Sequence, residues 1–180
     1  LTRSGLDRAL LAKEIWEKCA IPSILYGSEA IVFTKQAISN LEHAQSMLGR
    51  FILQIPSSSA NITGWIDAGL MPIYGRIMMR QACFYWKLIN KPEEDLLYQC
   101  FLDVRENNQD PWNKQINNII EKVGNIAACS SLKQVKKLVQ EHVKGKIYST
   151  LAKLPSTQAI TAPDKWFKMQ RHTNNSIASE

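Results

Sequence analysis

Residues 34–56 read TKQAISNLEHAQSMLGRFILQIP. Within them Ile38, Leu41, Gln45, Leu48, Ile52 and Ile55 recur every three or four residues. That spacing places them on one side of an α-helix, whose period is about 3.6 residues. Thr34 offers a capping hydroxyl at the start. Pro56, with no N–H to donate, stops the run.

Helical signals continue on both sides. Upstream, Leu6, Leu10, Leu11, Ile15 and Trp16 fill one broad face of a helix that Pro22 interrupts. Residues 23–33, SILYGSEAIVF, admit two readings. Their β-branched and aromatic residues suit a short buried extended segment, and a helix kinked at Pro22 is the alternative. Downstream, a short helix covers Ala60 to Ala68 and ends on Gly69 in a left-handed turn. Pro72 sits at the first turn of the next helix, along which run Ile73, Ile77, Arg80, Gln81, Phe84 and Leu88. Pro92 followed by Glu93, Glu94 and Asp95 predicts a helix start, because acidic groups suit the positive end of the helix dipole. Asp110-Pro111 repeats the signal, and Gly124 ends that helix. Ser130 or Ser131 caps a last long helix with Leu132, Val135, Leu138, Val139, His142, Val143 and Ile147 on one side. The fold class expected is all-α, an irregular bundle of about seven helices with at most one short extended segment near residues 23–33.

Composition agrees with a folded chain. The protein has 180 residues, a formal net charge of +6 and 45% hydrophobic residues, which excludes wholesale disorder. No apolar stretch reaches the ~18–20 residues of a membrane span, so no membrane partner is expected. Cys19, Cys83, Cys100 and Cys129 form no CxxC pair, which speaks against a zinc ribbon or a disulfide scaffold and fits an intracellular protein. The chain begins at Leu1 without a signal-peptide pattern, and is expected to be a piece of a longer protein.

Catalytic and metal sets are not apparent. His43, His142 and His172 lie in separate segments without zinc-ligand spacing, and no phosphate-cradling GxxxxGK[ST] or GxGxxG loop occurs. Gly27-Ser28-Glu29 lacks the GxSxG elbow of a nucleophile, and Glu93, Glu94 and Asp95 fan around a helix start. No residue is assigned a catalytic or metal-binding role.

Three stretches stand out together: Ile21-Pro22-Ser23-Ile24-Leu25-Tyr26-Gly27-Ser28-Glu29; Ile38 to Gln45 with Leu41 and Glu42, continuing through Met47-Leu48-Gly49-Arg50; and Asp67-Ala68-Gly69-Leu70-Met71-Pro72, followed by Arg80, Phe84, Tyr85 and Trp86. Their order and spacing resemble the region that follows the catalytic palm in reverse transcriptases of non-LTR (LINE-type) retrotransposons. Pro22, Leu25, Tyr26, Gly27 and Glu29 match a P-x-x-L-Y-G-x-E motif, Leu41 and Gln45 a helix core, and Gly69 and Pro72 a following turn. Asp67-Ala68 stands where that family more often has Glu-Leu, and the chain has no Asp-Asp pair of the kind that binds metal in the palm.

The resemblance implies a thumb-like helical region over residues 1–90, an additional helical region over 91–155, and a loop with a short helix over 156–180. It implies a non-catalytic part of an RNA-directed DNA polymerase that grips template–product nucleic acid, an RNA–DNA or RNA template–primer. The palm would be a partner in cis and would hold Mg2+ for two-metal chemistry. Nucleus and cytoplasm are the compartments expected of such a parent element. The alternative is a helical protein-interaction or scaffold module from a decayed or host-reused element.

Duplex grip needs cations that meet phosphates. The candidates are Lys133, Lys136, Lys137, Lys144 and Lys146 of the last long helix, with Arg50 and Arg76; Lys13, Lys18 and Arg80 are lesser ones, and Arg80 is equally open to burial beside a carboxylate. Tyr26, Trp65, Tyr74, Tyr85 and Trp86 could stack on bases, but their spacing favours core positions.

Overall fold

A computed structural model describes residues 3–59, 61–107 and 109–153. Among them the chain is all-α and contains no strand. It divides into two compact units. One comprises the described residues within Leu1–Ile24, Lys35–Ile73 and Ile147–Glu180; the other comprises those within Leu25–Thr34 and Tyr74–Lys146. The loop and short helix expected over 156–180 lie outside the described residues.

In the first unit, α1 (Arg3–Ile15) runs without a break through a π-helical turn, Trp16–Ala20, into α2 (Ile21–Ile24). Pro22 therefore lies inside a helical rod and does not interrupt it. Its ring would collide with the carbonyl four residues back in a regular α-helix. The wider turn accommodates it, with the Ile21 N–H reaching back five residues to the Trp16 carbonyl.

Helix α3 (Lys35–Leu53) follows Thr34 as its periodicity predicts. It ends where Gln54 takes a left-handed φ of 54°. The Ile55 N–H bonds to the Arg50 carbonyl and the Gln54 N–H to the Phe51 carbonyl, which closes the last turn. Helix α4 (Asn61–Asp67) ends in the same way at Gly69, whose φ is 69°. There the Leu70 and Gly69 N–H groups bond to the carbonyls of Trp65 and Ile66 at 2.8 and 2.9 Å.

The most deeply buried residues of α3 are small or polar: Gln45, Ser46 and Gly49. Gly49 faces Gly64 of α4 so closely that a Cβ built on it would lie 1.9 Å from the Gly64 carbonyl oxygen. Two glycines let these helices cross nearly backbone to backbone. Around the crossing, Ile21, Trp65, Ile66, Leu70 and Met71 are buried.

The second unit opens with Leu25–Thr34. Residues 25–30 are turns and 31–34 are irregular, so the extended segment considered near residues 23–33 does not form. Gly27, with a φ of 70°, reverses the chain there. No neighbouring strand supplies a ladder; side chains from other elements take up the carbonyls instead.

Helix α5 (Ile73–Ile89) starts directly after the buried Pro72. Helix α6 (Leu96–Glu106) begins later than the Pro92 signal predicts, because Asp95 is its N-cap and accepts from the Leu97 N–H. Lys91 also bonds to Asp95 and holds its carboxyl below the ordinary carboxylate range. A depressed folded pKa means that this support is present above the ordinary value and is lost as pH falls through the lowered one. Helix α7 (Pro111–Val123) has Asp110 as N-cap, accepting from Trp112 and Asn113, and Gly124 as C-cap with a φ of 105°.

Helix α8 (Leu132–Leu151) starts as Ser131 allows, its hydroxyl accepting from the Gln134 N–H. Val135, Val139 and Val143, at intervals of four residues, are wholly buried. Trp112 packs edge-on against Phe84 and Phe101 at centroid distances of 6.2 and 6.4 Å, and Ile116, Ile119 and Ile126 complete the interior of this unit.

Candidate nucleic-acid interface

Helix α8 sets the arrangement. Its buried valines fix one face inward. Lys133, Lys136 and Lys137 are exposed and Lys144 is half-buried. Lys133, Lys137 and Lys144 fall within about 40° of one another around a helix of 3.6 residues per turn, and span about 16 Å of its axis. The helix has five lysines against the single acid Glu141. Lys137 sits 3.9 Å from Glu141, with both side chains mostly in solvent, so the pair is weak and leaves the row positive.

The remaining cationic candidates have other surroundings. The Lys146 ammonium lies 4.2 Å from the centre of the Tyr74 ring, a cation–π contact. Arg76, on α5, is half-buried. In the first unit, Arg50 donates to the Ser59 carbonyl at 2.7 Å, and Lys13 donates to the Ala68 carbonyl at 2.9 Å. Lys18 pairs with Glu14 one turn away. The five lysines therefore share one helix, whereas Arg50 belongs to the other unit and holds a loop.

The motif residues do structural work within each unit. Gln45 is wholly buried; its Oε1 accepts from the Trp16 indole at 3.2 Å and its Nε2 donates to the Met71 carbonyl at 3.0 Å. It thereby ties α3 to the π-helical turn and to the segment between Gly69 and Pro72. Leu41 is half-buried on the same helix, and Pro22 belongs to α2. In the second unit, Leu25 is buried and Gly27 makes the reversal. The Arg80 guanidinium donates to the Leu25 carbonyl at 2.9 Å and lies 3.5 Å from the Glu29 carboxylate, so the carboxylate pairing considered for it forms.

Gln81 was not singled out by its sequence, and it is the centre of this region. Wholly buried on α5, it donates to the carbonyls of Ser28 and Ile31 at 3.2 and 3.0 Å and accepts from Gln115 at 2.7 Å. The Trp112 indole donates to the Glu29 carbonyl at 2.8 Å. Four carbonyls of one irregular segment thus receive donors from α5 and α7. A glutamine on a mostly apolar face was the available signal. Replacing Gln81 by alanine is expected to cost about 2–4 kcal/mol, since it opens a void and strands buried carbonyls. Urea unfolding measures the cost, and hydrogen exchange at the Ser28 and Ala30 amides should quicken with it.

Of the aromatic candidates, Trp65 is buried, while Tyr74, Tyr85 and Trp86 are half-buried. Tyr26 departs from the core position its spacing favours: it is 86% exposed. The turn at Gly27 sends Leu25 inward and leaves Tyr26 outside.

Burial pushes the Cys83 thiol up, opposed by the charges of Lys136 and Lys87. Among the described residues, no group of three or more His, Cys, Asp or Glu side chains is placed to hold a metal ion, and no helix is long and apolar enough to cross a membrane. No protein family, curated protein or solved structure matches the chain.

Proposed function

We propose that the chain is a non-catalytic, thumb-like part of an RNA-directed DNA polymerase of a LINE-type retrotransposon, and that it grips template–product nucleic acid. The observation that bears most of this reading is the lysine row of α8, kept outward by the buried valines behind it. The motif trio supports the family, and the net charge of +6 suits a polyanionic partner. In this reading the chemistry and its Mg2+ belong to a palm in cis, and this chain supplies grip.

Titrating the chain into a labelled RNA–DNA duplex at rising salt tests the binding half. The reading requires affinity that falls steeply with salt. An absence of binding at low salt contradicts it.

A second reading, a helical protein-interaction module from a decayed or host-reused element, draws on one observation in the first unit. Leu10, Leu11 and Ile15 of α1 and Met47 and Phe51 of α3 are each 52–62% exposed. That reading predicts association driven by apolar surface and insensitive to salt.

A further inference from the structure

Tyr26 combines two properties. Its ring is 86% exposed, yet its backbone belongs to a segment held by four side-chain-to-carbonyl bonds. An exposed tyrosine on a loose loop loses conformational freedom on contact with a ligand. One on a clamped turn has already lost most of it, so stacking on its face is retained as affinity.

The surroundings point to the ligand. Arg80, which holds the turn through the Leu25 carbonyl, shares one face of α5 with Cys83, Phe84 and Lys87. With Glu29 these residues line a notch of about 170 Å³. Lys87 and Lys136 both lie close enough for their charges to act on the Cys83 thiol. The face of α5 thus carries Arg80, which holds the turn, together with Cys83 and Lys87, near Lys136 of α8. Arg80 and Lys87 are about 10 Å apart along the axis at 1.5 Å per residue. Lys87 in the notch, Lys136 near Cys83 and the open Tyr26 ring on the turn that Arg80 holds offer cations and a stacking platform, the pairing that single-strand binders use.

We infer that Tyr26 stacks on an unpaired base next to a nucleic-acid duplex, with Lys87 and Lys136 meeting the phosphates of that strand. The inference deepens the proposed function and rests on it for the duplex, while the unpaired-base contact is separable.

Three ligands resolve it: a blunt RNA–DNA duplex, the same duplex with a four-nucleotide overhang, and one whose overhang is abasic. Base stacking is worth about 1–3 kcal/mol per base, so the native chain should prefer the overhang roughly 5- to 150-fold over the blunt and abasic duplexes. Tyr26→Ala should erase that preference and leave blunt-duplex affinity unchanged; Tyr26→Phe should keep it. An equal response to all three ligands by the native chain, or a preference that survives Tyr26→Ala, overturns the inference while leaving duplex grip standing. Overhang binding lost in Tyr26→Ala, without any blunt-duplex binding, supports Tyr26 and removes the duplex reading. Binding to none of the three removes both. Circular dichroism checks that the variants fold, which the exposure of Tyr26 makes the expected result.

Discussion

Reversing Lys133, Lys137 and Lys144 to glutamate is expected to weaken RNA–DNA duplex binding by about a hundredfold or more at low salt, with the fold unchanged. Lys133 and Lys137 are exposed, Lys144 is half-buried, and all three lie on the side of α8 away from the buried Val135, Val139 and Val143. Each reversal removes a phosphate contact and adds a repulsion, and the counterions released on binding fall accordingly. The cost to folding should be small, since surface ion pairs such as Lys137–Glu141 contribute about 0–1 kcal/mol. Fluorescence anisotropy measures the affinity, and the unfolding midpoint reports the fold. Unchanged affinity would remove α8 from the contact surface.

Gly49→Ala and Gly145→Ala should change stability in opposite directions. A Cβ at Gly49 would lie 1.9 Å from the Gly64 oxygen and 2.3 Å from its carbonyl carbon. Both are backbone atoms, so no side chain can swing aside, and α3 and α4 must part. Their separation disturbs the buried Trp65, Ile66 and Leu70. Alanine's better helix propensity returns about 1 kcal/mol, against overpacking of about 1–3 kcal/mol or more at backbone contacts. We expect a net loss of about 2 kcal/mol. At Gly145, within α8, a Cβ meets nothing within 4 Å. There the propensity acts alone, and Gly145→Ala should stabilise by about 0.5–1 kcal/mol. Urea denaturation of the two variants measures both signs in one experiment.

Features with local causes were legible in the sequence. The periodicity of α3, the left-handed Gly69, the Asp110-Pro111 start and the Ser131 cap each depend on groups within a few residues of one another. The lysine row of α8 was legible for the same reason. Features that need distant partners were not. Gly49 and Gly64 are unremarkable until two helices cross at them. Gln81 reaches a turn about fifty residues away, and no pattern within α5 indicates where its amide goes. Pro22 reads as a breaker because the compensating π-helical turn lies before it in residues of ordinary helix propensity. Tyr26 reads as core because neighbours alone do not tell which side of a turn faces out.

The most direct test of the central claim is the slope of log affinity for an RNA–DNA duplex against log salt, measured on the native chain and on the Lys133/Lys137/Lys144 triple reversal. Each phosphate contact contributes roughly 0.7–0.9 to that slope. If the α8 row grips the duplex, the native slope should be about −3 or steeper, and the variant's should be shallower by about two to three. Parallel slopes, or a native affinity indifferent to salt, would contradict the account.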